Sequence, residues 1–511
     1  MLLRIFTAAA LLLAWLAPGA AAQDASAVIA AASKAMGADT LTSITFSGTA
    51  RNGSFGQSKS IGDPLGPTNA TQITPYTRTI NLALPWSGEG LVSRATGPTQ
   101  PPTVPGVPAP TPGVFNQNVT VQQATTNFGQ ALNVGLTPWL FLKWAAMNDA
   151  TVRTQGGQQV VSFSPPNFKS PSGQMYTVSG YINNQNLVTK TETRVEHVVA
   201  GDLLVEFEYS NYQNRNGVQV PGRIVQKQGG LTTFDANITA ATPNPTNLAE
   251  LLTPPQAPGR GGAAGRGGAA GRGGAAGQGG RGGGGRGQQA AGPPPIEKLG
   301  DGAFLIGGNY ASLAIDMGDH ILVVESGQSD ARGQEVMAAA KQAVPNKPIR
   351  FVVNSHPHFD HSSGLQAAVA EGATILTHNN NEEVLERLLS GPRTLIGDSL
   401  SKVANRRTNV VQGVGDRDVR KGSNGRVVEL HRIPNEHSDG MLVVYLPAEK
   451  VLWSADITPV NPNPAQQGVV RSTVAALKKL NLDVTRFITA HPPNPDPGRP
   501  LTMDDLVKAA G

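Results

Sequence analysis

The feature that most constrains this 511-residue chain is a histidine-rich hexapeptide placed directly after an apolar run. The run IRFVVN (residues 349–354) is typical of a buried strand, and HPHFDH follows at residues 356–361. Side chains two residues apart share one side of an extended backbone, and the loop beyond the strand lets further side chains turn towards them. Imidazole nitrogens with a carboxylate oxygen suit zinc, and also iron or manganese. The hexapeptide therefore predicts half of a two-metal site, whose potential ligands are His356, His358, Asp360 and His361.

Three further ligand-type residues stand at the ends of strand-like segments nearer the C-terminus. His437 lies in a loop between two such segments, Asp456 ends one apolar run, and His491 directly follows another. Polar groups at strand ends can converge on one point, whereas polar groups inside a strand must be paired or exposed. These three are therefore candidates for the other half of the site. The remaining histidines are expected to be packed or surface residues: His197, His320, His378 and His431.

The order of these residues, His-x-His-x-Asp-His followed by a later His, a later Asp and a final His, resembles the metallo-β-lactamase superfamily. The resemblance covers residues 296–511 and implies an α/β fold, a four-layer αβ/βα sandwich with the metals at one edge of its sheets. It also implies two Zn²⁺ per chain, with iron or manganese as alternatives. One metal would be held by His356, His358 and His437, and the second by Asp360, His361 and His491, with Asp456 bridging.

The same resemblance implies a metal-dependent hydrolase that attacks a small-molecule substrate with a hydroxide bridging the metals. Asp360 would orient that hydroxide, and Asp456 would carry a proton to the leaving group. β-Lactamases of the superfamily generally lack an aspartate at the place of Asp456, whereas thioesterases, lactonases and phosphodiesterases usually have one. We therefore expect hydrolysis of an ester, thioester or lactone. The alternatives are a β-lactamase, a phosphodiesterase, or a non-enzymatic lipid- or envelope-binding protein with a vestigial metal domain.

The first residues predict export. Residues 1–22 combine a basic start, an apolar run from Ile5 to Ala17 and a small-residue end, which is the pattern of a cleaved signal peptide. The run is too short for a membrane anchor, so we expect no transmembrane segment after cleavage and a periplasmic or secreted protein. The chain contains no cysteine, which excludes disulfides and thiolate ligands to a metal.

The net charge of +5 does not indicate nucleic-acid binding. Five arginines lie between Pro254 and Pro295, where there is no Lys, Asp or Glu, so subtracting them leaves zero for the rest of the chain. That stretch repeats Gly-Arg-Gly-Gly-Ala-Ala and has no large apolar residue to offset the entropy of ordering it. We therefore predict a flexible Gly/Arg/Ala-rich linker at residues 253–295 and no nucleic-acid partner.

Strand-like segments separated by turns dominate residues 23–252 and predict a mainly antiparallel β N-terminal domain. A hairpin is expected around the turn 183–186, and one amphipathic helix at 137–148. The strand rhythm and the stretch 209–225 resemble the periplasmic lipoprotein-carrier fold, which implies a possible role in binding hydrophobic molecules. Packing of the sheet face is the favoured explanation of the same apolar residues, because a sheet face needs covering whatever it binds. The hydrolase domain is expected at residues 296–511.

Overall fold

The computed structural model describes residues 24–103, 111–254, 293–308, 310–457, 462, 464–491 and 500–511. The predicted signal peptide and most of the predicted linker lie outside the described residues. No helix among those described is long and apolar enough to span a bilayer.

The N-terminal part is built on one antiparallel sheet with the strand order β4-β3-β2-β1-β13-β12-β9-β8-β7-β6-β5, and β10 and β11 form a separate ribbon. The strands are β1 (Ser43–Asn52), β2 (Thr71–Asn81), β3 (Leu91–Gln100), β4 (Gly113–Thr120), β5 (Thr151–Gln155), β6 (Gln158–Phe163), β7 (Val178–Ile182), β8 (Val188–His197), β9 (Gly201–Ser210), β10 (Gln213–Arg215), β11 (Val218–Val220), β12 (Arg223–Gln228) and β13 (Leu231–Pro243). The helices are α1 (Ala25–Met36), α2 (Val121–Thr126), α3 (Phe128–Gly135), α4 (Pro138–Ala146) and α5 (Leu248–Leu252).

The sheet buries one face beneath helices. Along β8, Thr191, Thr193 and Val195 are buried while the residues between them are more exposed, which is the period of two expected of a sheet covered on one side. Helix α4, with Trp139 among its buried residues, packs against this sheet and against α1. The mainly antiparallel β domain, the hairpin β7–β8 and a helix within residues 137–148 are thus confirmed. That helix is buried over five consecutive residues rather than along one face, and α2 and α3 are additional to the one helix predicted here.

The C-terminal part consists of two sheets with helices outside. The strands are β14 (Ile296–Gly300), β15 (Ala303–Ile306), β16 (Ser312–Asp316), β17 (Ile321–Val324), β18 (Ile349–Val353), β19 (Thr374–His378), β20 (Val411–Val414), β21 (Arg417–Lys421), β22 (Val427–Arg432), β23 (Leu442–Leu446), β24 (Val451–Ser454) and β25 (Arg486–Thr489). The helices are α6 (Asp330–Ala343), α7 (Phe359–Ser362), α8 (Leu365–Ala370), α9 (Asn379–Ser390), α10 (Pro464–Leu480) and α11 (Met503–Ala510), with a 3₁₀ turn at Leu400–Lys402.

Strands β14 to β20 form one sheet in chain order, and β21 to β25 form the other. Within β17, Ile321 and Val323 belong to the apolar core under the outer helices, whereas Leu322 and Val324 belong to the core between the two sheets. A strand covered on both faces reads as a continuous apolar run, and this one does. The predicted αβ/βα sandwich is confirmed.

The N-terminal sheet and the sandwich share one apolar core. A single cluster of buried side chains includes Phe55 and Leu203 from the N-terminal part and Leu388 and Leu389 from α9. The predicted domain boundaries at 252/253 and 295/296 stay a prediction. The shared core nevertheless shows that the two parts are packed together rather than separated.

Candidate metal centre

All seven predicted ligand residues lie at one edge of the two sheets, because each follows the end of a strand or stands in a loop between strands. The hexapeptide follows β18 and continues into the short helix α7. His437 lies between β22 and β23, Asp456 follows β24, and His491 follows β25. Asp456 has φ of 52°, a left-handed conformation that aspartate tolerates better than most residues.

The structure brings these residues together as two groups that share Asp456. One consists of His356, His358, His437 and Asp456, and the other of Asp360, His361, Asp456 and His491. Within each group, one nitrogen or oxygen atom per residue lies within 4.8 Å of all the others. Among the described residues, the four other histidines belong to neither group.

One side of the centre is buried and the other, which we call the open rim, is partly exposed to solvent. His356, His358 and His361 are almost completely buried. By contrast, the side chains of Asp360 and His491 are 31% and 33% exposed. A ligand can therefore approach from the side of Asp360 and His491.

The donor atoms face one another in a way that suits a cation. Nε2 of His437 lies 3.1 Å from Nε2 of His356, and Nε2 of His361 lies 3.0 Å from Nε2 of His491. At most one proton can lie between two imidazole nitrogens at this distance, so at least one nitrogen of each pair presents a lone pair. Oδ2 of Asp456 is 2.9–3.0 Å from three of these nitrogens, yet within the described part of the chain it has no hydrogen-bond partner of acceptable geometry. The residues present therefore fit a pair of metal ions.

Glu325 fixes two of the imidazole rings from below. Its Oε2 accepts a hydrogen bond from Ser355 Oγ (2.7 Å), and Ser355 Oγ lies 3.1 Å from Nδ1 of His356. The same Oε2 lies 3.2 Å from Nδ1 of His361. The Ser355 proton goes to the carboxylate, so Ser355 Oγ accepts from Nδ1 of His356. The carboxylate itself accepts from Nδ1 of His361. Both histidines therefore carry their proton on Nδ1 and turn Nε2 towards the centre. Such outer hydrogen bonds orient metal ligands and raise their basicity.

His358 carries its proton on the other ring nitrogen, Nε2. Its Nε2 lies 3.2 Å from the backbone carbonyl oxygen of Ser58, which belongs to the N-terminal part. A carbonyl can only accept, so Nε2 carries the proton and Nδ1 presents its lone pair to the first group. The partner of this predicted ligand is therefore 300 residues away in the chain.

The loop that carries His437 is held by side-chain amides. Asn435 Oδ1 accepts from the backbone N–H groups of His437 (2.7 Å) and Ser438 (2.9 Å), and its Nδ2 donates to the carbonyl of Ile433. Asn381, in the first turn of α9, donates to the carbonyl of Gly440. The loop is thus fixed on both sides of His437.

Burial and charge set the protonation of the centre. Burial lowers the pKa of His356 well below its ordinary value and lowers the pKa of His358 to about 3, so both are neutral and can donate lone pairs. Although burial opposes a charge on His361, the carboxylates of Asp456 and Glu325 raise its pKa. The pKa of Asp456 is held well below its usual range, because contacts with His361, His356 and His437 outweigh burial. Asp456 is therefore a carboxylate.

Sequence reasoning missed the residues that support the ligands. Glu325 directly follows the apolar strand β17, so a carboxylate at a strand end was an available signal. Tyr310, whose ring centroid lies 4.6 Å from that of His491 and 5.7 Å from that of His361, gives no such signal. Ser58 could not be found at all, because its backbone and not its side chain makes the contact.

Comparison with known proteins agrees with this fold. Residues 306–491 match the model of the metallo-beta-lactamase superfamily. The C-terminal part of the chain is therefore a domain of that superfamily. No curated protein sequence matches the chain.

Solved structures with a similar C-terminal part include two metallo-β-lactamases. The protein from Hirschia baltica is 21% identical, with 43% of this chain and 97% of that one covered at a TM-score of 0.32. The protein from Pontibacter korlensis is 15% identical, with 42% and 97% covered at a TM-score of 0.33. A stereoselective inverting sec-alkylsulfatase from Pseudomonas sp. is 17% identical, with 42% and 40% covered at a TM-score of 0.31.

Proposed function

We propose that this protein is an exported hydrolase that uses two metal ions to cleave an ester, thioester or lactone. The observation that carries the proposal is the convergence of seven ligand-type side chains in two groups joined by Asp456. A site that had lost its function would be expected to have lost some of its ligands.

The donor set defines the metals that fit. The first group offers three imidazole nitrogens and the second offers two, and both share the carboxylate of Asp456. Nitrogen and oxygen donors without sulfur suit zinc, and also iron or manganese. When bound, two such ions lower the pKa of a shared water and polarise the carbonyl oxygen of a substrate.

The two aspartates take different roles in this proposal. Asp360 lies at the open rim, with its Oδ2 3.5 Å from Nε2 of His361 and 3.6 Å from Nε2 of His491. From there it holds and orients the attacking water. Asp456 is more enclosed and touches both groups, so it is placed to carry a proton towards the leaving group.

Asp456 also guides the choice of substrate. An aspartate shared by both groups is typical of thioesterases, lactonases and phosphodiesterases of the superfamily rather than of its β-lactamases. Carboxylic ester, thioester and lactone substrates are therefore the first to test. β-Lactams and phosphodiesters are the competing substrates in the same screen.

Metal analysis of the purified full-length protein tests the centre. We expect close to two zinc, iron or manganese ions per chain, and less than one ion per chain would contradict the proposal. Hydrolysis of ester, thioester, lactone, β-lactam and phosphodiester substrates then identifies the reaction. Absence of all activity together with co-purified lipid would favour the non-enzymatic alternative.

Substitution of the shared aspartate tests its role. Asp456→Ala should abolish hydrolysis and lower the metal content, because both groups lose a ligand. Asp416→Ala is the matched control, since Asp416 also contacts a histidine, His378 (3.2 Å), but lies outside both groups. An Asp456→Ala variant that keeps the wild-type rate would remove Asp456 from the mechanism.

Export rests on residues 1–22 and is tested separately. Expression of the full chain in a Gram-negative host should place the mature protein in the periplasm or the medium. N-terminal sequencing should then begin at Gln23. Retention of Met1 in a cytoplasmic protein would contradict this part of the proposal.

A further inference from the structure

We infer that residues 54–59, in the loop between β1 and β2, position two of the proposed metal ligands, so that the N-terminal sheet forms part of the metal centre. We refer to residues 54–59 as the bracing segment. The inference rests on the proposed function, because it concerns how the ligands are held for metal. It assigns to the N-terminal part a role that its own sequence, which has no catalytic motif, does not suggest.

The first contact of the bracing segment is with His358. The carbonyl oxygen of Ser58 accepts a hydrogen bond from Nε2 of this histidine at 3.2 Å, and both residues are buried. Ser58 is itself fixed, because its Oγ donates to the carbonyl of Ser54 at 2.6 Å. Because the N–H group at Nε2 of His358 is buried from water, it depends on this carbonyl as its hydrogen-bond acceptor. The bracing segment thus sets which nitrogen of His358 faces the first group.

The second contact is with the loop that carries His437. The carbonyl of Lys59 accepts from the backbone N–H of Asp439 at 2.9 Å. The ammonium group of Lys59 lies 3.2 Å from Glu436 Oε2 and 3.8 Å from Asp439 Oδ1. These two residues flank His437 at one and two positions. Adjacent residues of the bracing segment therefore hold two ligands of the same group.

The third contact sets the approach of the bracing segment to α7. The ring of Phe55 packs against that of Phe359, with centroids 5.7 Å apart. Gly56 adopts φ of +65°, and a Cβ atom there would lie 1.9 Å from Cζ of Phe359. Only glycine permits this approach, and Phe359 stands between His358 and Asp360 in the chain. Any larger residue at position 56 must displace either the bracing segment or the Phe359 ring.

Gly56→Ala is therefore the variant that tests the inference. Gly88→Ala is its matched control, because Gly88 lies in the same N-terminal sheet region, has φ of +81°, and would place a Cβ with no atom within 4 Å. Both substitutions strain a left-handed backbone, but only the first pushes against the metal centre. The comparison separates a positioning role from general destabilisation.

Zn²⁺ affinity is the first readout, measured on full-length protein by competition with a chromophoric chelator. Wild type and Gly88→Ala should bind two ions with equal affinities. Gly56→Ala should bind one of the two ions about 10–100-fold more weakly, which is the effect usual for loss of an outer hydrogen bond to a ligand. The affinity for the second ion should change less, since the hydrogen bonds that the bracing segment makes to the centre go to His358 and to the loop of His437.

Histidine NMR is the second readout and addresses His358 directly. In Zn²⁺-loaded protein labelled with ¹⁵N-histidine, one ligand imidazole should carry its proton on Nε2, protected from exchange with water. A His358→Gln sample assigns that signal. In Gly56→Ala the same proton should exchange faster, whereas in Gly88→Ala it should not change.

A charge exchange provides a second variant should Gly56→Ala fail to fold. Lys59→Glu should speed Zn²⁺ dissociation, because a negative charge then faces Glu436 and Asp439. Adding Glu436→Lys should restore slow dissociation by re-forming the pair in reverse. Dissociation that is unaffected by Lys59→Glu, or not rescued by the double change, would count against the inference.

Failure of the proposed function and failure of this inference can be told apart. A wild-type protein that binds less than one Zn²⁺ would overturn the proposed function. A wild-type protein that binds two ions, with Gly56→Ala matching Gly88→Ala in affinity and in His358 proton exchange, would overturn the inference alone.

Discussion

At the scale of single residues, the geometry of the candidate centre depends on residues outside the seven ligand-type side chains. Glu325 is wholly buried and accepts hydrogen bonds that orient both His361 and, through Ser355, His356. One carboxylate thus sets a ligand in each group. Glu325 directly follows β17 and has φ of 68°, a left-handed backbone conformation.

Glu325→Gln should therefore weaken metal binding at both positions. The amide keeps the shape but loses the charge that attracts the protons of His361 Nδ1 and Ser355 Oγ, so we expect a loss in Zn²⁺ affinity of about 10–100-fold. Competition with a chelator measures the effect. Ser355→Ala is the companion variant, and it should weaken only the ion bound to His356. Equal Zn²⁺ affinity in wild type and Glu325→Gln would show that the orienting bonds are dispensable.

The sequence allowed the seven ligand-type residues to be picked out, because each stands at a strand end that an apolar run reveals. It did not reveal Ser58, since a backbone carbonyl leaves no trace in the choice of residue. Glu325 was detectable only as a carboxylate at the end of β17. The difference is physical: ligands depend on local segments, whereas their supports depend on how distant segments meet.

At the scale of elements, the buried strands of the sandwich are apolar runs that the sequence reveals, as in residues 349–354, where β18 lies. The strands that could not be predicted are β14, β20 and β21, all of which are sheet edges. An edge strand has one neighbour and more solvent, so it needs no apolar run. In β21 the sequence Arg-Asp-Val-Arg-Lys has no buried residue at all. Charged edges of this kind also discourage pairing with other chains.

The end of β8 carries a histidine that makes stability depend on pH. His197 Nδ1 accepts from the backbone N–H groups of Val199 (3.2 Å) and Ala200 (3.1 Å), and its ring packs against Phe359. Burial, with a smaller contribution from the charge of Arg393, lowers its pKa from 6.5 to about 3. The folded protein thus binds fewer protons here than the unfolded chain. This contribution is complete above about pH 6.5 and is lost as the pH falls towards 3.

His197→Asn should reduce that pH dependence. Asparagine Oδ1 can accept from the same N–H groups but does not titrate. Between pH 6 and 4, the free energy of unfolding of wild type should fall more steeply than that of the variant, by up to about 1.4 kcal/mol per pH unit. Urea titrations of both metal-free proteins measure this difference. Parallel curves would mean that His197 does not titrate on unfolding.

At the scale of the whole molecule, polar contacts join the N-terminal sheet to the sandwich in addition to the shared apolar core. One set involves the bracing segment, and another lies at the start of β9, where Asp202 accepts from the N–H groups of Thr394 (2.9 Å) and Leu395 (2.8 Å) and from Thr394 Oγ1 (2.8 Å). The αβ/βα layers could be predicted from apolar periodicity. The contacts of Asp202 with Thr394 and Leu395, which we call the Asp202 seam, could not be predicted. They pair polar groups that lie nearly 200 positions apart in the chain.

The shared apolar core and the Asp202 seam predict that both parts unfold together. Asp202→Ala leaves the N–H groups of Thr394 and Leu395 without their acceptor, and the buried Leu395 N–H alone costs about 1–3 kcal/mol. We therefore expect a single urea transition, shifted to lower urea throughout the chain. Hydrogen exchange followed by mass spectrometry can compare peptides from α4 and from β23 in one experiment.

Asp235→Ala is the control for this seam, since Asp235 pairs with the partly exposed Arg223 (2.9 Å) inside the N-terminal sheet and should cost less than about 1 kcal/mol. If Asp202→Ala lowers the protection of α4 while β23 keeps its wild-type protection, the two parts are independent. If both lose protection equally, folding of the N-terminal sheet is coupled to the strands that present His437 and Asp456. The bracing segment would then act on ligands whose whole scaffold its own domain stabilises.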